Sequence, residues 1–467
     1  MSAMTLSPEM QLLLRRKLQA KKGDGAIPRR AGARERFPLS LAQQRLWNLY
    51  RQQPGATAYN VVKGYRFGGD GQPPVDLPLL ERCFNAVVQR HESLRTVFRA
   101  EQGGDVMQIV LPSLHVPLHY VDGRNSGADV AQQWADREAN TPFDLERGPL
   151  LRLRAVQTGE QSFAVLMSMH HIVFDGWSSG VFIDDMTAFY QSFVTGGASS
   201  LAPLPIQYGD YATWQREQVS GEAGITEMRF WRDHLGGAKP LALPVDRPRP
   251  SVPTDGGGTV QFAFTQELSD ALNALSRREG VTMFMLFLAA YYVLLARISG
   301  SEDVLVGTLM AGRQRTETER LIGYLVNTLV LRGDLSGNPT FRVLLARVRE
   351  SSLAAHAHQE FPYERLADEL RPNGEPLVQA MLIVHNWKKP AEVEGGFHMS
   401  SVVATRHTSR FDLSLGLEEK ETWCGSLDYA TDLFDESTAR RLVTRLEQLL
   451  ASFVANPDSE VLLAAHS

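Results

Sequence analysis

The chain has 467 residues, of which 43% are hydrophobic and 22% are charged, a composition typical of a globular protein long enough for two hydrophobic cores. Its formal net charge of -5 gives no overall electrostatic signature of nucleic-acid binding, so we expect no nucleic-acid partner. Its two cysteines, Cys83 and Cys424, lie far apart and fit no metal-ligand spacing, which predicts reduced thiols in a cytoplasmic protein.

Neither the N-terminus nor the longest apolar stretch has the pattern of a targeting or membrane segment. The N-terminus lacks the apolar core of a signal peptide. The longest apolar stretch, VTMFMLFLAAYYVLLA at 281–296, is too short and too close to charges for a membrane span. It predicts a buried helix in a protein without a membrane partner.

Residues 1–36 predict a helix followed by a basic linker. Ser7 is a candidate cap, Pro8 suits the first turn of a helix and Glu9 favours a helix start. The basic face of this helix could touch a membrane or an acidic partner. The favoured interpretation is a solvated appendage.

From residue 37 onward, strand-like and helix-like segments alternate, which predicts an α/β fold. Proline and glycine cluster with charged residues at 243–258. We therefore place a connector at 216–258, between an N-terminal lobe at 37–215 and a C-terminal lobe at 259–467. A cleft between two lobes is a favoured place for a ligand.

Two adjacent histidines end the apolar segment SFAVLMSMHH, which has the composition of a buried central strand. A helical pattern follows, with Ser178 or Ser179 as its candidate cap. Because side chains alternate between the two faces of a strand, His170 and His171 should point in opposite directions. His171 lies nearer the loop and is the candidate for the cleft, whereas His170 is the candidate for packing into the scaffold.

The residues of the turn after the strand are of types that can take part in catalysis. A neutral imidazole at His171 can act as a general base near neutral pH. Asp175 could orient His171, or it could hold the loop through an arginine such as Arg313. Gly176 permits a backbone conformation that a residue with a Cβ resists, and its N–H could approach a substrate carbonyl.

The histidine pair has two other interpretations. A metal site would need His170, His171 and Asp175 to converge, which the opposite directions of neighbouring strand residues oppose. Two histidines with satisfied hydrogen bonds beside a turn are a structural alternative to catalysis. The residues of the turn alone leave the catalytic and structural interpretations open.

The motif HHxxxDG, formed by His170, His171, Asp175 and Gly176, resembles the signature of the condensation domains of nonribosomal peptide synthetases. Further blocks similar to that family follow in the expected order. They are SLAQQRLW at 40–47, RHESLRTVF at 90–98, YGDYATWQ at 208–215, LIGYLVNTLVLR at 321–332 and HQEFPYERL at 358–366. The resemblance covers residues 37–455 and is specific, because ordered blocks rarely coincide by chance.

This resemblance implies a fold of two chloramphenicol acetyltransferase-like lobes that form a V-shaped pseudo-dimer with a central tunnel. It implies an acyltransferase that joins a donor acyl or peptidyl thioester to an acceptor aminoacyl thioester through an amide bond. Upstream and downstream carrier proteins would deliver both substrates on phosphopantetheine arms, and the domain itself would bind no cofactor. The chain would be a monomer within a multidomain synthetase, beside an adenylation domain.

The resemblance also assigns roles to residues of the turn. His171 would meet the acceptor amine, as a base or by positioning it, and His170 would support the turn. A thioester is already activated and a free amine is already nucleophilic, so alignment can supply much of the acceleration. The candidate tunnel residues are Trp177, Ser178, Arg313, Asn327 and Asn386.

Some of these candidates have structural alternatives. Trp177, like Trp47 and Trp214, could be a packing residue. Asn327 could belong to a capped turn. Arg95, which lies in a block similar to the family, could be a surface charge or a tie between elements near the site.

The sequence also distinguishes between subtypes of the family. It lacks the DxxxxD pattern of heterocyclising domains and the EGHGR block of epimerising ones, and Met169 stands where some variants carry a leading histidine. The stretch PGATAYNV at 54–61, together with the other blocks, favours the subtype that joins L-configured donors to L-configured acceptors. The block at 373–387 keeps Asn386 but lacks the customary charged pair.

Two alternatives from other functional classes remain. A coenzyme A-dependent acyltransferase shares the HxxxD core, but its DFGWG-like block is not found. A non-catalytic condensation-like module would recruit a partner enzyme, but its motif is commonly degraded and this one is intact. Neither an adenylation nor a carrier domain is found, so the chain is free-standing or excised, and its relaxed ends favour excision from a larger synthetase.

Overall fold

The computed structural model describes residues 26–30, 35–68, 75–101, 103–127, 129–251, 254–371, 373, 375–385, 401–402 and 408–462. The predicted N-terminal helix and the candidate tunnel residue Asn386 lie outside the described residues. The helices are α1 (Leu41–Gln52), α2 (Leu77–Arg90), α3 (Val130–Ala139), α4 (Gly176–Thr195), α5 (Tyr208–Ser220), α6 (Glu222–Leu235), α7 (Gln266–Glu279), α8 (Met283–Ser299), α9 (Thr316–Glu319), α10 (Phe341–Ala357), α11 (Tyr363–Leu370) and α12 (Glu436–Ala455).

The strands are β1 (Arg36–Pro38), β2 (Asn60–Phe67), β3 (Thr96–Ala100), β4 (Val106–Val110), β5 (Leu118–Asp122), β6 (Leu151–Gln157), β7 (Phe163–His170), β8 (Gly257–Ala263), β9 (Asp303–Met310), β10 (Asn327–Asp334), β11 (Ala380–His385), β12 (Ser401–Val402), β13 (Leu413–Glu419) and β14 (Trp423–Ala430). Within the described residues they form a five-stranded sheet of order β12-β2-β7-β6-β5, a six-stranded sheet of order β10-β9-β11-β13-β14-β8 and a small sheet of order β1-β4-β3. Parallel pairing joins β5 to β6 and β11 to both β9 and β13. Helices alternate with these strands, which confirms the predicted α/β fold.

The C-terminal half of the chain contributes two segments to the N-terminal half. β12 follows β11 of the six-stranded sheet in sequence, yet it pairs antiparallel with β2, where Ser401 lies opposite Tyr65. The connection 311–326, between β9 and β10, also reaches the N-terminal half: the Ser93 hydroxyl donates to the carbonyl oxygen of Ile322 at 2.6 Å. The C-terminal half therefore contributes backbone to the surroundings of the histidine pair.

β7 is the strand that delivers the two histidines. It lies between β2 and β6, and its residues after Phe163 are buried, as their almost continuous apolar sequence predicts. At its end His170 lies opposite Asn60, and its N–H donates to the carbonyl oxygen of Leu150 at 3.1 Å. Pairing on both sides thus fixes where the strand stops and where the turn with His171 begins.

The apolar stretch at 281–296 lies almost entirely in α8, and all side chains from Leu286 to Ala296 are buried in the core of the C-terminal half. The prediction of a buried helix is confirmed. Among the described residues no single helix is long and apolar enough to span a membrane. α7 and α8 reach that length and composition only together, and they are bent by 104° relative to each other.

Both cysteines are free thiols, which confirms the prediction of reduced residues. Cys83 lies on the buried face of α2, where burial raises the pKa of its thiol to about 12. Cys424 lies on β14 in the other half, half-buried, with its sulfur 3.7 Å from the carbonyl oxygen of Glu418. At neutral pH the Cys83 thiol therefore stays protonated and unreactive.

Candidate active site

The turn between β7 and α4 carries the predicted site. β7 ends at His170 and, after a single 3-10 turn, α4 begins at Gly176. Asp175 caps this helix, since its Oδ1 accepts the N–H of Ser178 at 2.9 Å. The prediction that Ser178 or Ser179 caps the helix is wrong, because α4 begins before both residues. The carboxylate of Asp175 also complements the helix dipole.

Gly176 is the first residue of α4 and is exposed. The prediction that it adopts a conformation unfavourable for other residues is wrong, because it does not belong to the glycines with positive φ. The glycine that needs such a conformation is Gly196, which ends α4 at a φ of 68°. N–H groups in the first turn of a helix have no acceptor within the helix, so the Gly176 N–H remains a candidate donor to a substrate carbonyl.

His170 is buried inside the N-terminal half. Its Nδ1 accepts the N–H of Ile172 at 3.2 Å, and its ring lies 6.2 Å from the ring of Phe143 in an edge-on arrangement. Burial, helped by the charge of Arg410, lowers the pKa of His170 to about 3. The imidazole is therefore neutral at physiological pH and fixes the backbone of the turn through its Nδ1.

His171 occupies a different environment and is half-buried. Its Nδ1 lies 2.8 Å from the carbonyl oxygen of Phe174. Because a carbonyl oxygen only accepts, Nδ1 carries the proton and donates, and in the neutral ring Nε2 then carries the lone pair. The ring also meets the ring of Tyr324 edge-on, with centroids 5.4 Å apart. The imidazole is thus oriented from within its own turn and by a residue of the other half.

Asp175 binds Arg313, which is one of the two roles that the sequence left open for it. The two guanidinium nitrogens donate to the two carboxylate oxygens at 2.7 and 2.9 Å, and Oδ2 also accepts the N–H of Leu325 at 3.0 Å. The Arg313 side chain is 0% exposed and that of Asp175 2%. Because this ion pair is bidentate and deeply buried, it ties the two halves of the chain together. The Asp175 carboxylate thus faces Arg313 in this structure.

Ser178 and Trp177 extend this tie along the first turn of α4. The Ser178 hydroxyl donates to Asp175 at 2.7 Å and accepts the N–H of Gly323 at 3.1 Å. The indole N–H of Trp177 donates to the carbonyl oxygen of Glu319 at 3.0 Å. The packing interpretation is wrong for Trp177, which is 47% exposed. Its exposed ring remains available to a substrate.

Asn327 begins β10 and does not lie in a turn of its own. Its Nδ2 donates to the carbonyl oxygens of Gln359 and Phe361 at 2.9 and 2.8 Å, and its Oδ1 accepts the N–H of Tyr363 at 3.0 Å. These bonds tie the strand to the segment that precedes α11. Asn327 therefore affects the surroundings of the site by fixing the backbone of the segment before α11.

The remaining candidates have structural roles. Trp47 is buried and Trp214 is half-buried, as expected for packing residues. Arg95 donates to the carbonyl oxygen of Leu111, so it ties two elements of the N-terminal half. Within the described residues no group of three or more His, Cys, Asp or Glu could hold a metal ion.

Sequence reasoning missed Tyr324, Tyr59 and Arg410 as residues of the site. Tyr324 packs on His171, and burial raises the pKa of its phenol, which stays protonated. The carbonyl oxygen of Tyr59 accepts the N–H of His171 at 2.8 Å, and Arg410 stacks over the Tyr59 ring at 4.5 Å. Tyr324 and Tyr59 lie in sequence blocks similar to the family, but only the tertiary structure brings these three residues to the turn.

Replacing His170 by Gln should remove a pH dependence of stability. A histidine in the unfolded chain titrates near about pH 6.5, whereas folded His170 stays neutral because its pKa is lowered to about 3. Between these values the unfolded state binds one more proton, so stability falls as the pH is lowered. When the pH is lowered from about 8 to about 5.5, the free energy of unfolding of the natural protein should fall by about 1.4 kcal/mol relative to that of the variant, as measured by chemical denaturation.

All other titrating groups are shared by the natural protein and the His170→Gln variant, and so they cancel in this difference. A difference that stayed constant over the same range would mean that folded His170 takes up a proton as readily as unfolded histidine. That result would contradict its buried, neutral state.

Residues 33–462 match the family model described as Condensation domain. The chain is 44% identical over 437 residues to a component protein of the linear gramicidin synthase of Brevibacillus parabrevis, an alignment that covers 91% of this chain and 8% of that protein. It is 37% identical over 470 residues to phosphinothricin tripeptide synthetase PhsC of Streptomyces viridochromogenes, with 98% and 43% covered. The chain thus spans less than half the length of these relatives.

Solved structures share the fold. The X-domain from teicoplanin biosynthesis has a TM-score of 0.83 at 28% identity, with 94% of this chain and 99% of that chain covered. The first condensation domain of the calcium-dependent antibiotic synthetase, in complex with a substrate analogue, has a TM-score of 0.75 at 20% identity, with 92% and 99% covered. These similarities confirm the predicted fold class. The chain therefore belongs to the condensation-domain family.

Proposed function

We propose that this chain joins a donor acyl or peptidyl thioester to an acceptor aminoacyl thioester, each held on the phosphopantetheine arm of a carrier protein. The observation that carries the proposal is the His171 imidazole, which is half-buried where the two halves meet and is oriented by Phe174 and Tyr324. The intact HHxxxDG motif and the similarity to peptide synthetases support the same reaction.

The reaction needs an aligned amine and a place for its proton. The acceptor amine attacks the carbonyl carbon of the donor thioester, the C–N bond forms and the C–S bond breaks. Nε2 of His171 carries the lone pair in the tautomer that Phe174 selects, so it aligns the amine and accepts its proton. The proton then passes to the departing phosphopantetheine thiolate, which leaves as a thiol.

The neighbours of His171 hold the turn and take no proton in this scheme. Asp175 is engaged by Arg313, and buried His170 is neutral. Trp177, at the exposed start of α4, is proposed to line the substrate path, with Ser178 beneath it. Arg313 and Asn327 act through the segments that they fix.

The finer features of the proposal follow the resemblance. We propose two lobes, at 37–215 and 259–467, that form a V around a tunnel and are joined by the connector at 216–258. Two carrier proteins would reach the tunnel from opposite faces, beside an adenylation domain, and the chain would be a monomer within a cytoplasmic synthetase. We propose L-configured donors and acceptors, because the stretch at 54–61, together with the other blocks, resembles that subtype.

One observation favours a second function. The teicoplanin X-domain, which has the TM-score of 0.83, has also been solved in a complex with OxyB. By analogy, this chain would recruit a partner protein without catalysing a reaction. The intact HHxxxDG motif and the ordered His171 ring favour catalysis over recruitment.

The His171→Ala variant should form amide about 10²- to 10⁴-fold more slowly than the natural protein, the range for losing a positioned acid-base group. The fold should persist, because the half-buried His171 side chain is not itself part of the hydrophobic core. The measurement is single-turnover mass spectrometry over a panel of aminoacyl carriers. His115→Ala is the control, since it removes an exposed imidazole paired with Glu81. Equal turnover by both variants, each folded by circular dichroism, would reject the assignment of His171.

The donor should react efficiently only when it is tethered to a carrier protein. Docking of a carrier raises the local concentration of the thioester, so that a weak and transient contact is enough. The test offers the same acyl group on a carrier and on coenzyme A, with one carrier-bound aminoacyl acceptor, and compares initial rates. Equal rates would support the coenzyme A-dependent alternative, and no amide from any donor would support the recruitment function.

A further inference from the structure

The connection 311–326 belongs to the C-terminal sheet by sequence, but side chains of the N-terminal half bind its backbone. It starts after β9, contains α9 and ends at β10. Five side chains of the N-terminal half make hydrogen bonds to the backbone along this path. They are Trp177 at Glu319, Ser93 at Ile322, Ser178 at Gly323, Tyr208 at Tyr324 and Asp175 at Leu325, with distances between 2.6 and 3.1 Å.

Tyr324 is the residue of this connection that touches His171. Its ring meets the imidazole edge-on, at 5.4 Å between centroids and 63° between planes. Its backbone is fixed as well, because the hydroxyl of Tyr208 donates to its carbonyl oxygen at 2.7 Å and is itself within 2.9 Å of the Ser40 hydroxyl. The backbone that carries the Tyr324 ring is therefore held in place, with the ring against the imidazole of His171.

Two arginines of the same connection bind aspartates of α4 and its cap. Arg313 binds Asp175 at the start of the helix. Arg320 binds Asp184 at 2.9 Å and Asp185 at 3.0 Å, ten residues further along. At 1.5 Å per residue these two ties lie about 15 Å apart along the helix. The connection is thus held to α4 at two distant points.

Asp185 is fully buried but does not depend on Arg320 alone. It also accepts from Arg90 at 2.9 Å and from the Nε2–H of His91 at 2.8 Å. The Arg320 side chain, in contrast, is 45% exposed. Removing Arg320 therefore leaves the buried carboxylate with a cation and a hydrogen-bond donor, so the helix should stay folded while its second tie to the connection is lost.

We propose that Tyr324 is a positioning residue for His171, and that Arg320 holds the connection so that Tyr324 stays against the imidazole. This inference rests on the proposed function, in which the orientation of His171 decides how the acceptor amine is aligned. A displacement of about 1 Å in such a group costs about 10²-fold in rate. Tyr324 thus acts through the histidine and makes no bond to the reacting atoms.

The first test separates the ring of Tyr324 from its hydroxyl. Tyr324→Leu removes the aromatic contact and should lower kcat about 10- to 10²-fold with little change in the KM for the acceptor carrier. Tyr324→Phe keeps the ring and should retain kcat. Rates are measured with the aminoacyl carrier pair that the natural protein turns over fastest. A Phe variant as slow as the Leu variant would assign the effect to the hydroxyl, and an unchanged Leu variant would show no role for the ring. Either result overturns the proposal.

The second test asks whether Arg320 acts through Tyr324. Arg320→Ala should lower kcat about tenfold, Arg320→Lys should recover most of it, and Arg320→Ala combined with Tyr324→Leu should be no slower than Tyr324→Leu alone. Arg342→Ala is the matched control, because Arg342 is 43% exposed and also binds two carboxylates, Asp458 and Glu279, far from His171 in the chain. Additive losses in the double variant would overturn the link between the two residues.

A spectroscopic measurement tests the roles of Tyr324 and Arg320 independently of amide formation. In protein labelled with 13C at histidine Cε1, the resonance of His171 is assigned by its loss in His171→Ala. It should move in Tyr324→Leu and in Arg320→Ala, because the aromatic ring that shields it is removed or displaced, and it should stay in place in Arg342→Ala. A resonance unmoved by Arg320→Ala would overturn the role of Arg320 even if no amide were detected. Amide formation that fails while the resonance moves as expected would count against the proposed function alone.

Discussion

The buried ion pair between Asp175 and Arg313 is the interaction on which the site depends. Asp175 caps α4 through Ser178, and the same carboxylate accepts from Arg313 and from the N–H of Leu325 in the other half. Removing two charges from water costs several kcal/mol per ion, and only close hydrogen bonds offset this cost. The bidentate geometry supplies them, so the pair fixes the position of the connection relative to the helix.

Because this pair joins two distant parts of the sequence, the candidate site exists only where the halves meet. One half supplies the strand that ends in the histidine pair, and the other supplies the connection that carries Tyr324. His171 is oriented by Phe174 from its own half and by Tyr324 from the other. A change in how the halves are joined would therefore alter the environment of His171 without altering the turn that bears it.

Local patterns in the sequence predicted the local parts of this arrangement. The apolar strand, the turn and the different environments of the two histidines follow from strand alternation and composition. Arg313 was named as a possible partner of Asp175 in one of the two roles that the residues of the turn left open. The exposure of Trp177 and the contact of Tyr324 could not be predicted, because both depend on the path of a connection from the other half. The cap at Asp175 was missed because the helical pattern of apolar residues starts only after it.

The most direct test of this account is a double-mutant cycle on the buried pair, with the free energy of unfolding measured by chemical denaturation. Asp175→Ala and Arg313→Ala should each cost about 3–5 kcal/mol, because each leaves a buried partner uncompensated. The double variant should be less destabilised than the sum of the two by about 2–3 kcal/mol. An Asp175→Ala protein as stable as the natural one but unable to form amide would contradict the account, since the carboxylate would then act in catalysis and not as the tie between the halves.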